Sequence, residues 1–226
     1  MAGIISGVIM GSGLGYRISS ILTSVAGTSM LLLLVLTMVV SLIMGMGVPT
    51  TAAYLVLASL VAPTMIQLGI PPLAAHMFIF YFGCISSITP PVALAAYAGA
   101  GLAGCDPNKT GYKAFRLAFC SFLMPYLFVY NPVLLMEGGV LDILWSLVTA
   151  LIGAYLLASG FEGFFFRWSL KWFERPLMIL GAVMLIVPGM VTDLVGIAII
   201  VVEFVTEFMF KRSGKFVPVT VSQSTT

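Results

Sequence analysis

The chain has 226 residues, 61% hydrophobic and 8% charged, with a mean hydropathy of +1.15 and a formal net charge of +2. Soluble domains carry about 25% charged residues, so this composition excludes a water-soluble globule and specifies a polytopic membrane protein. The small net charge, with its basic residues between apolar segments rather than along one helical face, also excludes a nucleic-acid-binding surface.

The first residues, Met1-Ala2-Gly3-Ile4-Ile5, lack the basic region of a secretory signal and begin as if part-way through a membrane domain. Residues 1–15 are Gly-rich and apolar, with Gly7, Gly11 and Gly15 at a spacing that permits close helix contact but also arises by chance in such helices. Residues 16–27, with Arg17 and several Ser and Thr, suit an interfacial connector. Residues 28–44 and 52–68 are continuously apolar, each near the lower limit of the roughly 20 residues a full span needs. Two crossings fit them, and so does one re-entrant hairpin with its tip at Gly45 to Thr51. Gly69-Ile70-Pro71-Pro72 ends this unit with a turn signal.

Residues 73–104 form a long segment broken at Thr89-Pro90-Pro91, and Asp106-Pro107-Asn108-Lys109 is a polar loop. Spans are predicted at about 114–135 and 140–160. Residues 161–175 mix charged groups with Phe and Trp, as an interfacial segment requires. A helical hairpin broken at Val187-Pro188-Gly189, with Asp193 just beyond, is predicted over 176–210, and the tail from Lys211 is polar and predicted to be disordered. The divisions are therefore 1–135, 136–210 and 211–226. All three cysteines (Cys84, Cys105, Cys120) lie in or beside apolar segments, which suits small core residues better than a disulfide framework.

Basic residues set the orientation. Lys109, Lys113 and Arg116 mark one inside loop, Arg167, Lys171 and Arg175 a second, and Lys211, Arg212 and Lys215 place the C-terminus in the cytoplasm. Arg17 falls outside as the exception.

The two breaks carry the functional signal. No Asp, Glu, Lys or Arg occurs between Ile18 and Cys105, so Gly45-Met46-Gly47-Val48-Pro49-Thr50-Thr51 and Ser86-Ser87-Ile88-Thr89-Pro90-Pro91 both lie in bilayer-buried sequence. Broken backbone at that depth is tolerated only where protein or a water-filled cavity satisfies the freed groups, and paired breaks point to a transporter's ion and substrate site. Pro49 is expected to leave the Gly45 carbonyl without its helical partner, and Pro90 and Pro91 to free those of Ser86 and Ser87. The carbonyl end of one helix suits a cation, and the N–H end of the next suits a carboxylate. Thr50 and Thr51 are placed to cap that second helix. With no acid near either break, carbonyls and hydroxyls favour Na⁺ over a proton. The alternative is a pair of ordinary proline kinks.

His76, the lone histidine, is either a proton-relay residue or a packing residue near a segment end. Glu203 and Glu207 share a helix face, either lining a polar seam or snorkelling to the interface beside Lys211 and Arg212.

Gly45 to Tyr54 and Ile88 to Tyr97 together resemble the large membrane subunit of tripartite ATP-independent periplasmic (TRAP) transporters, most closely the branch with fused membrane subunits that works with TAXI-type binding proteins. Gly69 to His76, Asp106 to Gly111 and Tyr130-Asn131-Pro132 add to the likeness in the same order, which is good over about 1–135 and looser to 210.

The resemblance implies an all-α polytopic fold: the second inverted repeat of an elevator-type secondary transporter, with a re-entrant helical hairpin over 28–68 and a broken helix at Ser87 to Pro91. It implies Na⁺ as the coupling ion and no other cofactor, with Gly45, Gly47, Thr50, Thr51, Ser87 and Thr89 as ion-site candidates. Pro49, Thr50, Thr51 and Pro90 are the substrate-site candidates. The implied substrate is a small organic anion, such as a C4-dicarboxylate, 2-oxo acid or glutamate. The implied partners are a periplasmic substrate-binding protein, a first-half or small membrane subunit, and the lipid of a bacterial or archaeal inner membrane. Nothing here corresponds to the family's first repeat, so the chain reads as the C-terminal half, either one part of a split permease or a truncated remnant. The rival from another class is a non-transporting assembly subunit. An enzyme is not expected, because the apolar core holds one His and no acid.

Overall fold

The computed structural model describes residues 7–8, 11–27, 29–165, 168–170, 172, 174–187 and 189–211, with the side chains of 14–15, 168–169, 190–191 and 203–211 outside that description. The readings placed on Met1 to Ile5, Arg167, Lys171, Pro188, the Glu203 and Glu207 carboxylates and the tail beyond 211 lie outside the described residues. The chain divides into two compact units, Met1–Val148 and Thr149–Thr226.

The first unit opens with α1 (Leu14–Ala26) and α2 (Met30–Gly45). The Ser29 hydroxyl accepts the Leu32 N–H at 3.4 Å and starts α2. Residues 16–26 thus lie in a helix and not in the expected connector, with Gly27 closing it. Their polar side chains fold back onto the helix, Thr23 Oγ1 donating to the Ser19 carbonyl at 2.9 Å and Ser24 Oγ to that of Ile21 at 2.9 Å. Leu22 and Ala26 are buried in the core, and Ser19 Oγ accepts the buried Thr64 hydroxyl at 2.8 Å.

Beyond the turn at Gly47 come α3 (Thr50–Leu60) and α4 (Ala62–Gln67). Residues 52–68 therefore do not run as one helix: Pro63 has no N–H for the helical ladder, and the chain turns at Val61. The hairpin of α2 and α3 closes on α5 (Pro72–Ile85), which a 3₁₀ turn, Ser86–Ile88, ends. Ala75, Phe78, Ile79 and Phe82 are fully buried along α5 at helical spacing. After the break, α6 (Leu94–Ala103) leads to α7 (Pro107–Ala118). Asp106 starts α7 by accepting the Lys109 N–H at 2.9 Å, with Pro107 at the position where no N–H is needed.

The single span expected at 114–135 is instead α7, a 3₁₀ segment Phe119–Leu123, α8 (Met124–Tyr130) and a last 3₁₀ turn, Pro132–Leu135. Pro125 and Pro132 interrupt the hydrogen-bond ladder and divide it. α8 packs on α5, where Tyr126 meets Phe78 and Phe82 edge to face at 5.3 and 6.1 Å, and its hydroxyl lies 3.2 Å from the Met38 sulfur of α2.

The 23-residue α9 (Val140–Glu162) is, among the described residues, the one helix long and apolar enough to cross a membrane, matching the span expected at 140–160. Its later part opens the second unit. A two-residue antiparallel pair follows, β1 (Phe164–Phe165) with β2 (Trp168–Ser169), a small exception to the all-α expectation. Then come α10 (Glu174–Ile186) and α11 (Met190–Lys211), the hairpin expected over 176–210.

Small residues set the packing of this unit. A Cβ on Gly153 would meet Ile186 Cγ1 and stand 3.1 Å from the Ala182 carbonyl, and one on Gly196 would stand 3.1 Å from that of Gly181.

Phe82 is fully buried against Phe78, Phe122 and Tyr126. Phe82→Ala is expected to cost about 3–5 kcal/mol. A thermal melt of the purified protein in detergent should show a clear fall in Tm, whereas Leu102→Ala, at a side chain 93% exposed, should leave it in place.

Candidate functional site

The fold brings the two breaks together. Gly45, the last residue of α2, lies so close to the 3₁₀ turn after α5 that a Cβ there would collide with the Ser86 hydroxyl, 2.9 Å from Ser86 Cβ and 3.5 Å from Gly83 Cα. Gly47 turns the chain with φ 75°, and its Cβ position stands 3.9 Å from Val92 just past the second break. Each glycine is required where it stands: Gly45 for close approach, and Gly47 for a left-handed conformation.

The freed carbonyls are better served than the prolines alone suggest. A reverse turn brings the Val48 N–H to the Gly45 carbonyl at 3.4 Å, so that oxygen is not bare. Likewise the Thr89 N–H reaches the Ser86 carbonyl at 3.3 Å. Both bonds are long, and every carbonyl keeps a second lone pair for a cation.

Ser86, Ser87 and Thr89 send their hydroxyl protons back to the carbonyls of Gly83, Cys84 and Ile85 at 2.6, 2.7 and 2.8 Å. Their oxygens thus keep lone pairs available, and Ser86 and Thr89 are buried. Thr50 and Thr51 do not cap α3 as expected: Pro49 is the N-cap, no side chain bonds to the helix start, and both threonines are exposed. Pro49 is exposed and Pro90 half-buried. The hydroxyls of Thr50 and Thr51 and the first N–H groups of α3 are therefore open at the tip.

With no formal charge between Ile18 and Cys105, the field at the tip comes from the helix ends, partial negative at Gly45 and partial positive at Thr50. No group of three or more His, Cys, Asp or Glu able to hold a metal ion occurs among the described residues. His76 lies 3.1 Å through Nδ1 from the Tyr54 hydroxyl and edge-on to its ring, which fits the packing alternative.

Two features escaped the sequence reading. Thr37 and Ser41 are fully buried on α2 with no hydrogen-bond partner among the described residues, two turns and one turn before Gly45 on the same stripe. Their helical spacing to Gly45 was the available signal. The second is a brace on the broken segment, where Tyr97 donates to the Pro91 carbonyl at 3.0 Å and fits against Gly111, leaving 3.0 Å for a Cβ.

Residues 1–143 match the family described as tripartite ATP-independent periplasmic transporter, DctM component. Comparison with curated proteins and with solved structures returned no match.

Gly45→Ala is expected to destabilise the first unit by about 1–3 kcal/mol, because the collision involves the root of Ser86 and not the end of a flexible chain. In a double-mutant cycle followed by thermal melting, most of that cost should disappear in the Ser86→Gly background.

Proposed function

The chain belongs to the DctM family of tripartite ATP-independent periplasmic transporters, and from that membership we propose that it carries one repeat of a sodium-driven permease for small organic anions. Membership makes it a membrane permease component, not an enzyme, working with a periplasmic binding protein and a small membrane subunit. The finer reading is a C4-dicarboxylate, 2-oxo acid or glutamate carried by an elevator-type mechanism in a bacterial or archaeal inner membrane. In it residues 1–135 form the second inverted repeat, 136–210 add further membrane helices, and the tail from 211 faces the cytoplasm.

The observation that carries this reading is the convergence of two unwound segments, rich in oxygen donors and free of acids, at the Gly45–Ser86 contact. Carbonyls at Gly45 and Gly47, with the hydroxyls of Ser87 and Thr89, supply neutral oxygens for Na⁺, which needs no titratable carrier. Thr50 and Thr51 add hydroxyls from the facing helix start. The open N–H groups of α3 then offer a carboxylate a partial positive charge beside the ion, with Pro49, Thr50, Thr51 and Pro90 as its walls. Sodium binding orders the tip, and the ordered tip receives the anion, so the two bind cooperatively.

The test is uptake of labelled organic acids into proteoliposomes under an inward Na⁺ gradient, with a matching first repeat and a cognate binding protein present. Uptake should require Na⁺. Thr89→Val should raise the half-saturating Na⁺ concentration about tenfold, the loss of one oxygen on a charged partner. Equal uptake with K⁺ would sink sodium coupling, and an unchanged Na⁺ dependence in Thr89→Val would remove that residue from the site.

A further inference from the structure

The second unit holds a groove that the transport reading leaves without a role. About 570 Å³ in volume, it is lined by Phe161, Trp172, Arg175, Ile179, Leu180 and Val183, with Gly160 and Pro176 completing the wall. We propose that this groove binds an anionic phospholipid, its phosphate on Arg175 and an acyl chain along α10.

Polarity along the groove sets the orientation. Arg175 lies in the first turn of α10, and Ile179, Leu180 and Val183 continue from it down the same helix. From Arg175 to Val183 the helix rises about 12 Å, at about 1.5 Å per residue. The cationic end is level with the close of α9, the helix of membrane-spanning length, where the chain turns back through β1 and β2. A cation at the helix ends with apolar wall running inward repeats the order of a phospholipid, headgroup outside and chain within. Trp172, 88% exposed, stands at the mouth, where an indole favours the headgroup level.

The arginine is held in place by the backbone. Gly163 takes φ 73°, and its Cβ position is filled by the Arg175 guanidinium, so a side chain at 163 would evict it. Gly163 is itself fixed by its N–H on the Ser159 carbonyl at 2.8 Å and its carbonyl on the Leu170 N–H at 2.9 Å. Arg175 Nε is buried with no hydrogen-bond partner among the described residues. Arg175 also lines the groove, and a guanidinium suits a phosphate, whose oxygens match its planar fork. Glu162 and Glu174 flank it, each already engaged in an interaction of its own.

Bromolipid quenching tests this in the full chain, with Trp145→Phe and Trp168→Phe leaving Trp172 as the single reporter. At equal mole fraction in vesicles, brominated phosphatidylglycerol should quench Trp172 more than brominated phosphatidylcholine. The apparent preference should be about fivefold, the worth of one basic residue against an anionic lipid surface. Arg175→Gln should equalise the two lipids, and Val183→Phe should weaken quenching by both while keeping the preference. Equal quenching by the two lipids in the protein that retains Arg175 overturns the proposal whether or not Arg175→Gln folds. Absence of quenching by either lipid overturns it too, since the groove is then covered by something else.

Discussion

The contact of Gly45 with Ser86 and Gly83 is the constraint around which the first unit is organised. Two helices end there inside apolar sequence, and each exposes polar backbone that lipid cannot satisfy. Placing one break on the other resolves part of that cost, because the approach is close enough to leave no room for a methyl group. Long reverse-turn bonds and the serine and threonine hydroxyls deal with much of the rest. What remains is a set of second lone pairs, concentrated where two helix ends meet.

The surrounding helices keep that contact in register. α5 presents an aromatic and aliphatic stripe to α2, α3 and α8, so the hairpin cannot slide without disturbing the rings of Phe78, Phe82 and Tyr126. Tyr54 and His76 tie α3 to the start of α5, and Tyr97 ties the broken segment to itself and to α7. Rigid support around unwound backbone is what the proposed ion site needs, since oxygens that drift by a fraction of an ångström lose discrimination between ions.

The second unit follows a different physical rule. Its helices approach through glycines at 153, 160, 181 and 196, so van der Waals contact replaces the aromatic core of the first unit. The same economy of side chains at Gly163 makes space for the Arg175 guanidinium beside an apolar groove.

The sequence by itself determined the class of molecule, the two breaks at Gly45 to Thr51 and Ser86 to Pro91, and the absence of acids from the region of the breaks. Those features act locally: a proline deletes its own N–H, a glycine permits its own left-handed turn, and a charge-free run of residues declares its solvent. Local rules misjudged residues 16–27, whose hydroxyls return to their own helix, and the segment 114–135, which Pro125 and Pro132 divide. They also misjudged Thr50 and Thr51, because the helix start took Pro49 as its cap. Only the tertiary structure decided that Gly45 would rest on Ser86, that Thr37 and Ser41 would be buried without partners among the described residues, and that Tyr97 would hold Pro91. These depend on contacts between segments far apart in the chain, and the shape of the space between them is settled by packing, which no local pattern encodes.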